Sequence, residues 1–379
     1  MVPGVLYPTL SRLYQGLRES YDPKDVIVIP HAHNTGDYRQ SDPELEPLVE
    51  ISSMHGNFEW FGRMYLKHGH QVGFIAASDD HLAKPGYSIP WRNSLAQKGG
   101  LAGVWASELR NDTLFDAMRS LSTFATTGDR MVLDFSVNNV RMGQRIPFTR
   151  NRLIKGSVVG TTAIRSIDVL KNDAVIWSRN YAIAEDLGIN PSENTHLTLS
   201  FGSHSHPGEV SDNPRGWRHW AGTLEVRGAE VVNAKLVDRQ NRNFQELEQD
   251  AKEPSKLRFK TLSRGDHSSI SLTLRGASEK TYLILRLSPT AETGSAPPRL
   301  RYHQFIAGSE LTLRFSDLNQ GQVTHHLPVD RFTDTVTLAR TNLQAPKEVE
   351  FEFEDKTPPE HSDYYFMRVR QTNEALGWS

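Results

Sequence analysis

Val72-Gly-Phe-Ile-Ala-Ala77, running directly into Ser78-Asp-Asp-His81, is the stretch on which the reading of the first third of the chain turns. A short apolar run bounded by polar residues makes a buried strand. This one delivers a carboxylate and an imidazole, Asp79 and His81, just past its C-terminal end. Working outward, the arrangement repeats. Asp25-Val-Ile-Val-Ile-Pro30 is a strand candidate followed at once by His31, and Leu48 to Ser52 is another with His55 just beyond. Leu101 to Ala106 makes a fourth. Helical patterns separate them: Leu10, Leu13, Tyr14 and Leu17 before the first, Phe58, Phe61, Tyr65 and Leu66 before the third, and Leu114, Phe115, Met118 and Leu121 after a capping Asp112. Buried strands alternating with helices predict βα units in a parallel sheet or barrel.

After Gly128 the rhythm changes to short strands. Candidates are Met131–Val137, Ile167–Leu170, Ala174–Trp177, Gly222–Val226, Leu257–Leu262, Ser269–Leu274, Thr281–Ser288, Glu310–Phe315, Thr335–Leu338, Glu348–Phe353 and Tyr364–Arg370. Ile270, Leu272 and Leu274, then Leu283, Leu285 and Leu287, alternate with polar residues as half-buried strands do. The fold class expected is therefore α/β plus all-β: a partial barrel over residues 1–128, then an antiparallel β-sandwich region over 129–379, in one piece or as two modules near 129–235 and 236–379. Phe201–Trp220 reads as a long loop and Gln240–Glu253 as a solvated connection.

Composition narrows the function. Lys plus Arg number 43 against 45 Asp plus Glu among 379 residues, a formal charge of −2. Such a balance argues against a general nucleic-acid or membrane-surface binder. No apolar run approaches the roughly 20 residues that cross a bilayer. The chain has no cysteine, which excludes disulfides, thiolate catalysis and Cys-ligated metal. Met1 to Leu10 has no basic start and is interrupted by Pro3 and Pro8, so no secretory signal is expected and the cytoplasm is the default compartment.

Six of the 15 histidines, His31, His33, His55, His68, His70 and His81, fall between residues 31 and 81, where even scatter would place about two. His31 to His55 and His55 to Asp79 are both 24 residues, about one βα unit. Three successive strands thus each present an imidazole or carboxylate at the end where α/β barrels build their sites. His31, His55, Asp79 and His81 form the expected metal set, suited to Zn, Mn or Fe. Asp79-x-His81 would share a strand face if the strand extended that far. His33, Glu50, Lys84 and Arg130 are further candidates for metal or substrate contact. Lys84 lies in Leu82-Ala-Lys-Pro-Gly-Tyr87, where it could reach a phosphate, although a surface lysine in a turn is the commoner case. Arg130 could fork onto an anion or brace the two regions. A lone histidine at a strand end is ordinarily structural; the matched spacing is what favours ligation. His68 and His70 suit a helix C-terminus, and His325-His326 a strand.

Ile29-Pro-His-Ala-His-Asn34, Glu50-Ile-Ser-Ser-Met-His-Gly-Asn-Phe-Glu-Trp-Phe61, Ala77-Ser-Asp-Asp-His81 and Phe124-Ala-Thr-Thr-Gly-Asp-Arg130 resemble the PHP (polymerase and histidinol phosphatase) superfamily, in a bacterial branch of unknown function. The likeness covers about residues 10–145 and the end, Asp363 to Gln371 and Gly377 to Ser379. It implies a distorted (β/α) barrel with two or three divalent metals, carrying His31, His55 and the Asp79/His81 pair as ligands. That superfamily opens with a His-x-His motif, whereas residues 1–30 here hold no histidine. The expected form is therefore an N-terminally truncated barrel, whose unpaired edge would favour homo-oligomers. The function expected is a metal-dependent phosphoesterase acting on a phosphorylated small molecule or sugar, incomplete in this chain. The alternative is a non-catalytic β-sandwich binding protein with a degenerate metal site, with Trp217, Trp220 and Tyr302 as sugar-stacking platforms. A metal-dependent amidohydrolase is a third reading.

Overall fold

The structure, a computed structural model, describes residues 9–31, 37–81, 97–181, 194–204, 215–237, 240, 242–292, 305–329, 332–360 and 362–379. His33, Lys84 and Tyr302 lie outside them.

The first helix, α1 (Leu10–Ser20), starts where Thr9 turns its hydroxyl back to accept from the Arg12 N–H. Strands β1 (Leu48–Ser53) and β3 (Gly73–Ala76) pair parallel, with the two-residue β2 (Gly56–Asn57) folded back on β1. Helix α2 (Glu59–Lys67) crosses between β1 and β3 and buries Phe61, Gly62 and Tyr65. It lies so close to the sheet that a Cβ on Gly62 would sit 2.5 Å from the Phe74 ring and 2.8 Å from Ile51. Residues 26–30 run beside β1 without forming a full strand: Val28 N–H donates to Leu45, Glu50 N–H to Pro30, and His31 bridges to Glu50 in parallel.

The expected (β/α) barrel does not form. β4 (Leu101–Val104), α3 (Asn111–Arg119) and β5 (Thr123–Thr126) follow, but β4 and β5 pair antiparallel. The other edge of β5 is taken, again antiparallel, by Leu376–Trp378 from the end of the chain. Tyr365–Gln371, Ile164–Lys171 and Ala174–Asn180 extend this into a six-stranded sheet. A barrel closes by continued pairing of parallel neighbours; here antiparallel partners capture that edge and carry it into an open sheet. Among the described residues the only parallel ladder is β1 with β3, and no sheet closes.

The six-stranded sheet is buried on both faces because its strands alternate. Ile167, Val169, Met367 and Val369 point toward a four-stranded sheet made of Val132–Val137, Val140–Arg141, Arg152–Val159 and Glu348–Asp355. Leu170, Phe366, Leu376 and Trp378 point the other way, onto Phe58, Phe61 and Tyr65 of the α2 layer. Three layers result.

A second antiparallel sandwich occupies the chain between Ala174–Asn180 and Glu348–Asp355. Two five-stranded sheets face each other around Leu197, Leu199, Phe201, Leu224, Phe259, Leu272, Leu285 and Leu338. The loop expected at Phe201–Trp220 is bounded by two long strands, Asn194–Gly202 and Arg218–Arg227, and Glu246–Gln249 is an edge strand, not a solvated connection. Trp217 and Trp220 are 5% and 1% exposed, so they pack inside and offer no stacking platform. Among the described residues no helix is long and apolar enough to cross a membrane.

Candidate metal centre

The site is built where β1 and β3 end. β3 stops at Ala76, and the chain then turns through Asp79 and His81, both in the left-handed region at φ 50° and 56°. Residues other than glycine rarely hold that conformation, and such strain concentrates at functional sites. It replaces the strand alternation expected to aim these two side chains together. His81 Nε2 lies 2.9 Å from one Asp79 oxygen, and His55 Nε2 lies 3.2 Å from the other. The two Nε2 atoms are 3.3 Å apart. One donor atom from each of His55, Asp79 and His81 therefore falls within 4.8 Å of the others.

Asp79 also belongs to a second group. One donor atom from each of His31, Glu50 and Asp79 meets the same 4.8 Å limit. The parallel bridge between His31 and Glu50 sets those two side by side. Ser53 joins the groups: its hydroxyl bonds the Glu50 carboxylate and accepts from the His55 N–H at 3.2 Å.

Burial sets the charge states. It pulls His55 down to about 4, with the Arg264 charge adding to it and Asp79 opposing. His31 is likewise lowered by burial against the pull of Asp79. Glu50 is pushed up to about 8, by burial first and the Asp79 charge second. Burial thus favours, for His31 and His55, the neutral form that ligates metal.

The turn carrying His55 is held from elsewhere. Arg264, in the turn between Lys256–Ser263 and His267–Arg275 of the second sandwich, donates from Nη1 to the His55 carbonyl at 2.9 Å. The Asn57 N–H donates to the Arg264 carbonyl at 2.9 Å, and the Asn57 amide to Asp266 at 2.7 Å. Gln97 donates to the Ser53 carbonyl at 2.7 Å. None of Arg264, Asp266, Asn57 and Gln97 stood out in the sequence. Arg264 lies 209 positions from His55, and no periodicity in the chain links the two.

Of the expected set, His31, His55, Asp79 and His81 come together, and Glu50 joins them. Arg130 does not: it is exposed beyond β5 and belongs to neither donor group. Its neighbour Asp129 is the anchored residue, bonded by Lys98 at 2.7 Å, Thr161 at 3.0 Å, Gln371 at 3.1 Å and Asn373 at 2.7 Å. His68 and His70 donate to the backbone carbonyls of Met64 and Tyr38, each at 2.8 Å.

Comparison with known proteins corrects the resemblance to the PHP superfamily. A family model described as a protein of unknown function (DUF3604) matches residues 90–145, and the comparisons give no support to the PHP superfamily. An uncharacterized protein of Chlamydia pneumoniae is 24% identical over 184 residues, covering 40% of this chain and 29% of the relative. Uncharacterized proteins of Chlamydia trachomatis and Chlamydia muridarum are 30% and 29% identical over 83 and 114 residues, covering 20% and 28% of this chain. The chain covers less than a third of each relative: 29%, 13% and 18%. No solved structure matches. The antiparallel pairing of β4 with β5 removes the barrel that the short motifs would have to line.

Proposed function

We propose that the chain binds two divalent metal ions, one at His55, Asp79 and His81 and one at His31, Glu50 and Asp79, and uses them to hydrolyse phosphoester bonds. The observation that supports this is that Asp79 belongs to both donor groups. Mixed nitrogen and oxygen donors suit Zn, Mn or Fe. Paired divalent ions supply a nucleophilic water near neutral pH and neutralise the charge that develops on a transferring phosphoryl group. This chain's contribution is burial, which lowers His31 and His55 toward the neutral form that could ligate a metal and raises the Glu50 carboxyl. The substrate class proposed is a phosphorylated small molecule or sugar.

Metal content and turnover test this together. Protein loaded with Mn or Zn should retain two ions per chain after desalting, and Asp79→Asn should lose both. A panel of aryl phosphomonoesters, phosphodiesters and amides then separates the chemistry. Phosphoester turnover that disappears with Asp79→Asn supports the proposal. Amide turnover alone replaces the substrate class, and no retained metal in the wild type ends it.

A further inference from the structure

We infer that Arg264 is a positioning residue for one of the two metal groups: the second sandwich, through its Ser263–His267 turn, sets the geometry of His55 directly and meets the His31/Glu50 group only through the shared Asp79 and Ser53. This rests on the metal reading above.

The geometry is specific. Arg264 spans the interface with hydrogen bonds in both directions. Its Nη1 donates to the His55 carbonyl at 2.9 Å, and its own carbonyl accepts from Asn57 at 2.9 Å. The residue between those partners is Gly56, at φ +140°, where a Cβ would stand 2.9 Å from the Arg264 carbonyl oxygen. The turn carrying the ligand and the turn carrying the arginine are therefore pressed together backbone to backbone. On its other side Arg264 is rooted in the sandwich. Nε donates to the Arg215 carbonyl at 2.7 Å, and Arg215 in turn pairs with the buried Asp334 and Glu292. Phe58 and Trp217 flank the guanidinium, with ring centroids at 5.4 and 5.8 Å.

Arg264 is only 2% exposed. Burying a guanidinium is costly, and an apolar side chain of similar volume would fill the space at less cost. What an apolar residue cannot do is donate to the His55 carbonyl. His31 and Glu50 hang instead on the bridge between residue 31 and β1, and none of the Arg264 hydrogen bonds above reaches them. Outer partners that orient a metal ligand typically contribute 10–100-fold in affinity.

The test is a titration of metal-free protein with Mn, followed by calorimetry and by the electron paramagnetic resonance signal of the bound ion. Wild type should take up two ions. Arg264→Met should take up the first with unchanged affinity and the second about 10–100-fold more weakly, and Arg264→Lys, which keeps the charge but has a single donor head, should fall between. Far-UV circular dichroism and thermal melts establish that each variant is folded. If Arg264→Met does not fold, Gly56→Ala displaces the same turn from the ligand side and should give the same selective loss. Two ions bound with wild-type affinity in the folded variants would overturn the inference while leaving the metal reading intact. Equal weakening of both ions would also overturn it, since a general structural role predicts that outcome. A wild type that binds no Mn would instead bring down the metal reading itself.

Discussion

The second sandwich and the layered region that carries the candidate site are held together by different means. In the sandwich, Leu197, Leu199 and Phe201 on one strand face Leu283, Leu285 and Leu287 and their neighbours on others, all buried, so each strand contributes by simple alternation. In the layered region charge pairs are added to the apolar joints between segments distant in sequence. Glu59 on α2 receives Arg368 at 3.0 Å and the Trp378 indole N–H at 2.8 Å. Arg63 reaches Asp173 at 2.6 Å. Glu374 takes Arg165 on one oxygen and Arg370 on the other at 2.9 Å. The sandwich has buried charges too, but the cluster of Arg215, Arg218, Glu292 and Asp334 connects through Arg264 to the His55 turn. Apolar alternation builds each module; buried ions register one against another.

Glu374 should show the largest effect. Burial works against its ionisation, yet Arg165 and Arg370 outweigh that and hold the carboxyl below its ordinary range. Glu374→Gln removes the anion that Arg165 and Arg370 share, leaving Arg370 only the longer contact to Asp266 at 3.6 Å, and should destabilise the protein by about 3–5 kcal/mol near neutral pH. The sign of the pH dependence follows. A depressed carboxyl stabilises fully above its unfolded value of about 4.3 and loses that stability as pH falls through the lower folded value. Urea denaturation of both proteins should converge in strong acid and diverge toward neutrality. Parallel curves would mean that the ion pairs do not register the layers.

Leu285→Ala probes the other side of the comparison. The residue is fully buried on an inner strand of the sandwich. A cavity there should cost about 2–5 kcal/mol, with little pH dependence, and should leave Mn uptake unchanged below the melting transition. A change in metal stoichiometry would show that the sandwich core couples to the site by more than the Arg264 turn.

How much of this was readable follows the same division. The alternation of Ile270, Leu272 and Leu274 announced strands His267–Arg275 and its neighbours, and the helices around Leu13, Tyr65 and Phe115 fell where periodicity put them. Arg152–Val159 was missed because Arg152, Lys155 and Gly156 break its apolar pattern; Arg152 is buried by pairing with Asp355, a partner 203 residues away. The direction of pairing was also hidden. β4 is apolar enough to suit a parallel barrel, and nothing in its residues marks the antiparallel pairing with β5, whose other edge takes Leu376–Trp378, also antiparallel. At the site, residue type and spacing singled out His31, His55, Asp79 and His81, which lie close together in the fold, because strand ends are local. The residues that hold His55 in place are not.

Asp79→Asn should move stability the other way. Asparagine tolerates the left-handed backbone at φ 50°. The substitution removes the negative charge that helps push Glu50 up. Metal-free protein should therefore gain about 0.5–2 kcal/mol, read as a higher melting temperature in chelator. A loss of that size would instead mark Asp79 as a structural anchor of the turn.

The smallest effect belongs to His68, and it sharpens the comparison at the level of a single residue type. His68 lies 13 residues beyond His55 in the same histidine-rich stretch. Its Nδ1 donates to the Met64 carbonyl at 2.8 Å, closing the last turn of α2, and its ring rests 4.4 Å from that of Tyr38. Each contact is with backbone or an aromatic ring, and neither donor group of the metal centre includes it. Replacing it with alanine removes one hydrogen bond at a helix end, worth about 0.5–1 kcal/mol, and should leave both metal affinities where they were. His55→Ala makes the reverse trade. It removes a ligand whose Nε2 already faces Asp79 and His81, so metal uptake falls far more than the melting temperature. Measured side by side, the two substitutions ask whether a histidine's role is set by the composition around it or by what its ring nitrogen meets. Equal losses of metal from both would put the answer in composition.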